Sequence, residues 1–107
     1  MNELSRDIQK EIHNLVTANR VALFMKGTPQ FPQCGFSAAA VKMLNAAGET
    51  EFATFNVLAD AEIREGIKTY ANWPTIPQLY VNGEFVGGAD IMREMALSGE
   101  LDVLLQE

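Results

Sequence analysis

Cysteine is almost missing from this chain: its 107 residues include one, Cys34. No intramolecular disulfide can form, which excludes a disulfide-stapled scaffold, and a lone thiol fits a reducing compartment such as the cytosol. Histidine is as rare, with His13 alone. One histidine leaves no Ser-His-Asp set, and beside Ile12 in a helical pattern it reads as a surface residue rather than a metal ligand. Basic residues are few, 8 Lys plus Arg against 14 Asp plus Glu, for a net charge of -6. Nucleic acid and anionic membrane surfaces both call for a basic face, so neither is an expected partner. No apolar run approaches the roughly 18–20 residues of a membrane helix. Met1 to Asn19 carries Glu3, Arg6, Asp7, Lys10 and Glu11 and does not read as a signal peptide. A transit peptide already removed would leave no trace, so a processed organelle protein stays open. Repeats, linkers and low-complexity tracts are absent, and the length fits one domain over residues 1–107.

What is present alternates between helix and strand. Leu4, Ile8, Ile12 and Leu15–Val16 recur at helical spacing with charges between them, giving an amphipathic first helix. Val21-Ala22-Leu23-Phe24-Met25 is a continuous apolar run of strand length, ended by Lys26-Gly27-Thr28-Pro29. Helix formers run from Gly35 to Ala47, with Ala38, Val41 and Leu44–Asn45 marking the inner face only in part and Gly48 placed to end the helix. Phe52 to Val57 reads as a strand, and Asp60 is placed to cap a third helix with Ile63, Ile67 and Tyr70–Ala71 inward. Trp73-Pro74-Thr75-Ile76-Pro77 is non-helical because of its two prolines. Gln78–Val81, Asn82-Gly83 and Glu84–Val86 form a hairpin signal. Asp90 is placed to cap a helix through Met95 that Ser98-Gly99 ends, and Leu101, Leu104 and Leu105 suggest a last short helix. Met25, Met43, Met92 and Met95 read as core or near-core residues. The expected class is α/β: a four-stranded mixed sheet flanked by helices on both faces, its first two strands parallel.

Chemistry concentrates at Cys34, which follows a strand and a loop and opens a helix. The first turn of a helix offers unpaired N–H groups and about half a positive charge, both of which favour thiolate over thiol. Lys26, at the end of the preceding strand, adds a positive charge to the same region. Cys34-Gly35-Phe36-Ser37 has the spacing of a redox Cys-x-x-Cys, yet Ser37 stands where the second thiol would be. A mixed disulfide on Cys34 therefore depends on an outside thiol for its resolution.

Lys26-Gly27-Thr28-Pro29, Pro32, Cys34-Gly35-Phe36-Ser37, Trp73-Pro74-Thr75-Ile76-Pro77 and Gly87-Gly88-x-Asp90 resemble the monothiol glutaredoxins of the CGFS type, in order and in spacing. The resemblance runs from about Ile8 to Leu105. It implies a thioredoxin fold, glutathione binding, and a [2Fe–2S] cluster bridged between two protomers. Carried over by position, Lys26 would meet the glutathione glycine carboxylate, with Arg64 assisting. Ile76, before a cis-proline at Pro77, would pair its backbone with the glutathione cysteine, and Phe36 and Thr75 belong to the same site. Gly88, Ala89 and Asp90 would hold the γ-glutamyl end. Ala89 departs from the many relatives that carry Cys there, so backbone contacts are kept and second-thiol chemistry is absent. The residue types agree with such a ligand: Lys26 and Arg64 suit a carboxylate, and Asp90 at a helix start suits an amine. The plainer alternative makes Lys26 and Arg64 solvated surface charges and Asp90 only a cap.

Thiolate ligation of a [2Fe–2S] cluster takes four ligands. One chain offers Cys34, a dimer offers two, and two bound glutathione thiols would close the set. Three functions compete: a glutathione-dependent carrier of a [2Fe–2S] cluster, a glutathione-dependent thiol–disulfide oxidoreductase with Cys34 as its single catalytic cysteine, and a binding module with an inert thiol. The carrier is favoured, with Cys34 as the metal ligand and apo iron–sulfur proteins as clients. The resemblance adds BolA-like proteins as partners, and it associates the longer approach to Cys34 through Phe31 and Pro32 with cluster work and weak reductase activity.

Overall fold

Five consecutive apolar residues make β1 (Val21–Met25), and every one of them is buried. A strand buried on both faces belongs inside a sheet, and β1 has a neighbour on each side. In the computed structural model, which describes residues 6–106, four strands lie in the order β2-β1-β3-β4. The parallel neighbour is β2 (Ala53–Asn56), with Phe24 opposite Phe55. The antiparallel neighbour is β3 (Gln78–Val81), with Leu23 opposite Leu79. A two-residue turn joins β3 to β4 (Glu84–Gly87), and its Asn82 and Gly83 have φ of 53° and 81°. Two consecutive positive φ values are what a tight hairpin requires, and Asn-Gly supplies them at low steric cost.

The alternation of side chains along β1 divides the interior into two cores. Ala22 and Phe24 face α1 (Ile8–Thr17) and α3 (Ala61–Ala71), packing with Ile12, Val16, Ile63, Ile67 and Tyr80. Val21, Leu23 and Met25 face α2 (Gly35–Ala46), α4 (Ala89–Ser98) and α5 (Glu100–Leu105), packing with Val41, Leu44, Leu79, Met92 and Leu101. The helices start as their sequences direct. The Asp7 side chain accepts from the Lys10 N–H at 3.1 Å, and the Asp60 side chain accepts from the N–H groups of Glu62 and Ile63. Arg6 links the first turn of α1 to the cap of α3, bonding Glu11 at 2.7 Å and Asp60 at 3.0 Å. It thereby holds both carboxyls below the usual carboxylate range.

The mixed sheet with helices on both faces is the expected one, and several local expectations are corrected. The inner face of α2 is Ser37, Ala40, Val41 and Leu44, whereas Asn45 is exposed and Ala38 only half-buried. The strand expected from Phe52 to Val57 is shorter, because Val57 already begins a 3-10 turn that the Asn56 side chain caps. Asp90 is not a cap: Gly88 occupies that position, and Asp90 lies in the first turn of α4. Leu4 lies outside the described residues.

Candidate functional site

β1 delivers Lys26 to the carboxyl edge of the sheet, and the chain then doubles back before Cys34. The Gln33 N–H donates to the Lys26 carbonyl at 2.9 Å, Phe31 N–H to the Thr28 carbonyl at 3.1 Å, and Gly27 N–H to Asn56 Oδ1 at 2.9 Å. Gly27 has φ +90°, and a Cβ there would stand 2.5 Å from the Phe31 carbonyl oxygen and 2.7 Å from the Gln33 nitrogen. Only glycine fits that bend. The loop is thus held by its own backbone, with Phe31 standing out 74% exposed.

Cys34 is the residue before α2, in extended conformation, and its side chain makes no capping hydrogen bond. The thiol is half-buried. The Ser37 backbone N–H, above all, holds its pKa below the usual thiol range. Partial burial opposes this, while the Phe36 N–H, the Lys26 charge and the Ser37 hydroxyl add to the lowering. This is helix N-terminal acidity carried mainly by backbone dipoles. Ser37 itself is fully buried, and its Oγ accepts the Lys26 N–H at 3.0 Å. The hydroxyl in the place of a second thiol therefore stitches β1 to the head of α2.

A cavity of about 360 Å³ opens beside Cys34. The structure places Lys26, Cys34, Phe36, Thr75, Ile76, Gly88, Ala89 and Asp90 around it. Each of those was a candidate from the sequence. Arg64 is the exception: it lies on α3 outside the cavity lining, half-buried, with Nε buried and without a partner. Pro77, expected as the cis-proline of the site, lines the cavity too, as do Trp73 of the same motif block and Ile91, which the sequence did not point to. The Ile76–Pro77 peptide is cis. Among the described residues no backbone hydrogen bond takes up the Ile76 N–H or C=O, so both remain available to an extended peptide-like ligand. The cavity floor is close-fitting: a Cβ on Gly88 would lie 3.2 Å from the Pro77 carbonyl oxygen and 3.4 Å from Trp73 Nε1.

The charge layout is asymmetric. Lys26 stands on one flank, and on the other the N-terminus of α4 presents its N–H groups together with the exposed Asp90 carboxylate. A cation, a free backbone edge and a helix N-terminus suit a short peptide with two carboxylates and an amine. Phe31, Phe36 and Trp73 leave exposed aromatic surface in the same part of the molecule. Among the described residues, no group of three His, Cys, Asp or Glu side chains is placed to hold a metal ion. His13 lies elsewhere, its Nδ1 3.0 Å from the Tyr70 hydroxyl. No helix among the described residues is long and apolar enough to cross a membrane.

Comparison with known proteins agrees with this arrangement. The glutaredoxin family model matches residues 21–86. A monothiol glutaredoxin of Synechocystis, itself uncharacterized, is 58% identical over 96% of this chain and 95% of its own length. The mitochondrial monothiol glutaredoxin-5 of Saccharomyces cerevisiae is 55% identical over 97% of this chain and 71% of its own. Among solved structures, reduced apo GrxS14 of poplar superposes with a TM-score of 0.79 at 44% identity, covering 92% of this chain and 90% of that one. Such identity over nearly the whole length, with the sole cysteine heading α2 beside the cis-proline loop, makes this chain a member of the glutaredoxin family, on its monothiol branch.

Proposed function

We propose that this protein binds glutathione in the cavity beside Cys34 and that two chains together carry a [2Fe–2S] cluster as cargo. The observation that carries the reading is the single, acidified thiol at the edge of a cavity suited to a short anionic peptide. Lys26 would hold the glycine carboxylate, the Ile76 backbone the central cysteine, and Gly88, Ala89 and Asp90 the γ-glutamyl end. That pose would set the glutathione sulfur beside Cys34 Sγ. A cluster with thiolate ligation takes four ligands, and one chain supplies one cysteine. Two Cys34 thiolates and two glutathione thiols complete the set. Half the ligands would then be exchangeable small molecules, which suits hand-over to apo iron–sulfur proteins. The exposed aromatics around Cys34 are a surface on which a second copy, a BolA-like protein or a client would rest. Relatives named mitochondrial and the lone thiol are both consistent with a reducing compartment, cytosolic or organellar.

A second reading rests on the lowered Cys34 pKa. A thiolate at that position would attack the glutathione sulfur of a mixed disulfide and release the client as its thiolate. A second glutathione would then attack the resulting Cys34–glutathione disulfide, freeing Cys34 and leaving as glutathione disulfide. Ser37 offers no internal thiol for that step, so turnover would be first order in glutathione. Anaerobic reconstitution with iron and sulfide, with and without glutathione, separates the two readings. The carrier reading predicts visible charge-transfer absorption only when glutathione is present and none for Cys34→Ser. Colour in Cys34→Ser, or in wild type without glutathione, would overturn it. A colourless wild type that still turns over glutathione mixed disulfides would favour the oxidoreductase.

A further inference from the structure

β3 carries a buried polar side chain where its neighbours are apolar. Gln78 is 0% exposed, opposite Phe24 of β1 in the interior of the sheet. A buried amide is costly unless its hydrogen bonds are made, and here all of its groups are used. Its Nε2 donates to the Trp73 carbonyl at 3.1 Å and to the Thr75 carbonyl at 3.2 Å. Its Oε1 accepts from the Tyr80 hydroxyl at 3.0 Å. The two carbonyls demand donors, so the amide orientation is fixed by its partners. Tyr80 is 1% exposed and is wedged among Phe24, Tyr70 and Phe85, with ring centroids 5.4–6.0 Å away. Burial pushes its hydroxyl well above the usual phenol range, so it stays a donor.

We propose that Gln78, anchored by Tyr80, is a positioning residue for the ligand: it clamps the two carbonyls that flank Pro74 and so holds Thr75 and Ile76 in the line that receives the peptide backbone of glutathione. Neither side chain lines the cavity; both act through the Trp73–Pro77 loop. An apolar residue of the same size would fill the same space, so packing alone does not account for an amide at this place. The clamp also bears on Trp73, whose ring leans on Phe85 at 5.7 Å and stands at the cavity rim. Without it, the loop keeps its ends, through the Trp73 N–H bond to the Lys68 carbonyl and through β3. The stretch between them loses its internal brace.

This inference rests on the glutathione reading of the cavity, and the test keeps the two apart. Glutathione is titrated into the full ¹⁵N-labelled chain, wild type and Gln78→Met, by calorimetry and by amide shifts. The expected result is a dissociation constant raised about tenfold in Gln78→Met, in keeping with two hydrogen bonds lost from the loop. New microsecond–millisecond motion should be confined to Thr75 and Ile76, while the Cys34 thiol titrates as in wild type because its own dipoles are untouched. That pairing of lost affinity with an unchanged thiol would not follow from general destabilisation. Equal affinity in a folded Gln78→Met overturns the clamp. If Gln78→Met does not fold, Tyr80→Phe decides: it removes only the hydroxyl bond, and about threefold weaker binding is expected, with no change overturning the proposal. A wild type that fails to bind glutathione overturns the reading of the cavity, and the clamp with it.

Discussion

Replacing Ser37 with alanine separates the two tasks that meet at the head of α2. The serine hydroxyl is fully buried and takes the Lys26 N–H at 3.0 Å. Alanine leaves that N–H beside the cavity without its acceptor, and an unsatisfied buried donor costs about 1–3 kcal/mol. For a domain of about 100 residues, each kcal/mol lowers the melting temperature by roughly 4–8 °C. The thiol responds differently. Its acidity comes first from the Ser37 backbone N–H, which alanine retains, and least from the hydroxyl. The Cys34 pKa should therefore rise only slightly and stay below that of the unfolded chain's thiol. Chemical denaturation followed by Trp73 fluorescence reads the first effect, and thiolate absorbance against pH reads the second. A thiol returned to its ordinary pKa with stability unchanged would refute the reasoning, because the hydroxyl and not the backbone would then be the source of the acidity.

Three more outcomes follow from the same geometry. The rate of Cys34 alkylation should rise with pH through a midpoint below that of the same thiol in the unfolded chain, and since the folded-state pKa is the lower one, the associated stability is full above the unfolded value and is lost as pH falls through the folded value; a midpoint at or above the unfolded value contradicts this. Lys26→Gln should weaken glutathione about tenfold by calorimetry, through one lost charge-assisted hydrogen bond, and should raise the Cys34 pKa as well, since the Lys26 charge is among its causes; unchanged affinity would remove Lys26 from the site. Gly27→Ala should lose at least about 2 kcal/mol in urea unfolding, because φ +90° and two backbone atoms within 2.7 Å of the new Cβ leave it no room; a neutral variant would show the loop to be pliable.

The periodic and punctuated parts of the chain were legible in its sequence. The apolar run of β1, the Asn-Gly turn, the Asp60 cap and the glycine after α2 each act locally, and the structure keeps them. The inner face of α2 was legible only in part: Val41 and Leu44 signal it, whereas Ser37 and Ala40, small residues with little hydrophobic signal, complete it. Asp90 suits a cap by residue type, yet Gly88, two residues earlier, takes that place through its backbone, packed close to the Pro77 carbonyl. At the site, the motif blocks named most residues of the cavity, since contiguous motifs become contiguous loops. Ile91 gave no such signal, because only the tertiary fold sets α4 against the Trp73–Pro77 loop and brings it to the same rim. Gln78 carried no signal at all, because a polar residue within a strand pattern reads as a solvent-facing position. Arg64 was placed by resemblance, and this structure keeps it outside the lining.

The central claim, that one cysteine per chain and glutathione together make a complete cluster site, is tested most directly by native mass spectrometry of the anaerobically reconstituted protein. The account predicts a single species of two chains, two glutathiones and one [2Fe–2S] unit, which collapses to colourless monomer when glutathione is removed. A cluster-bearing species without glutathione, or a coloured monomer, would contradict it.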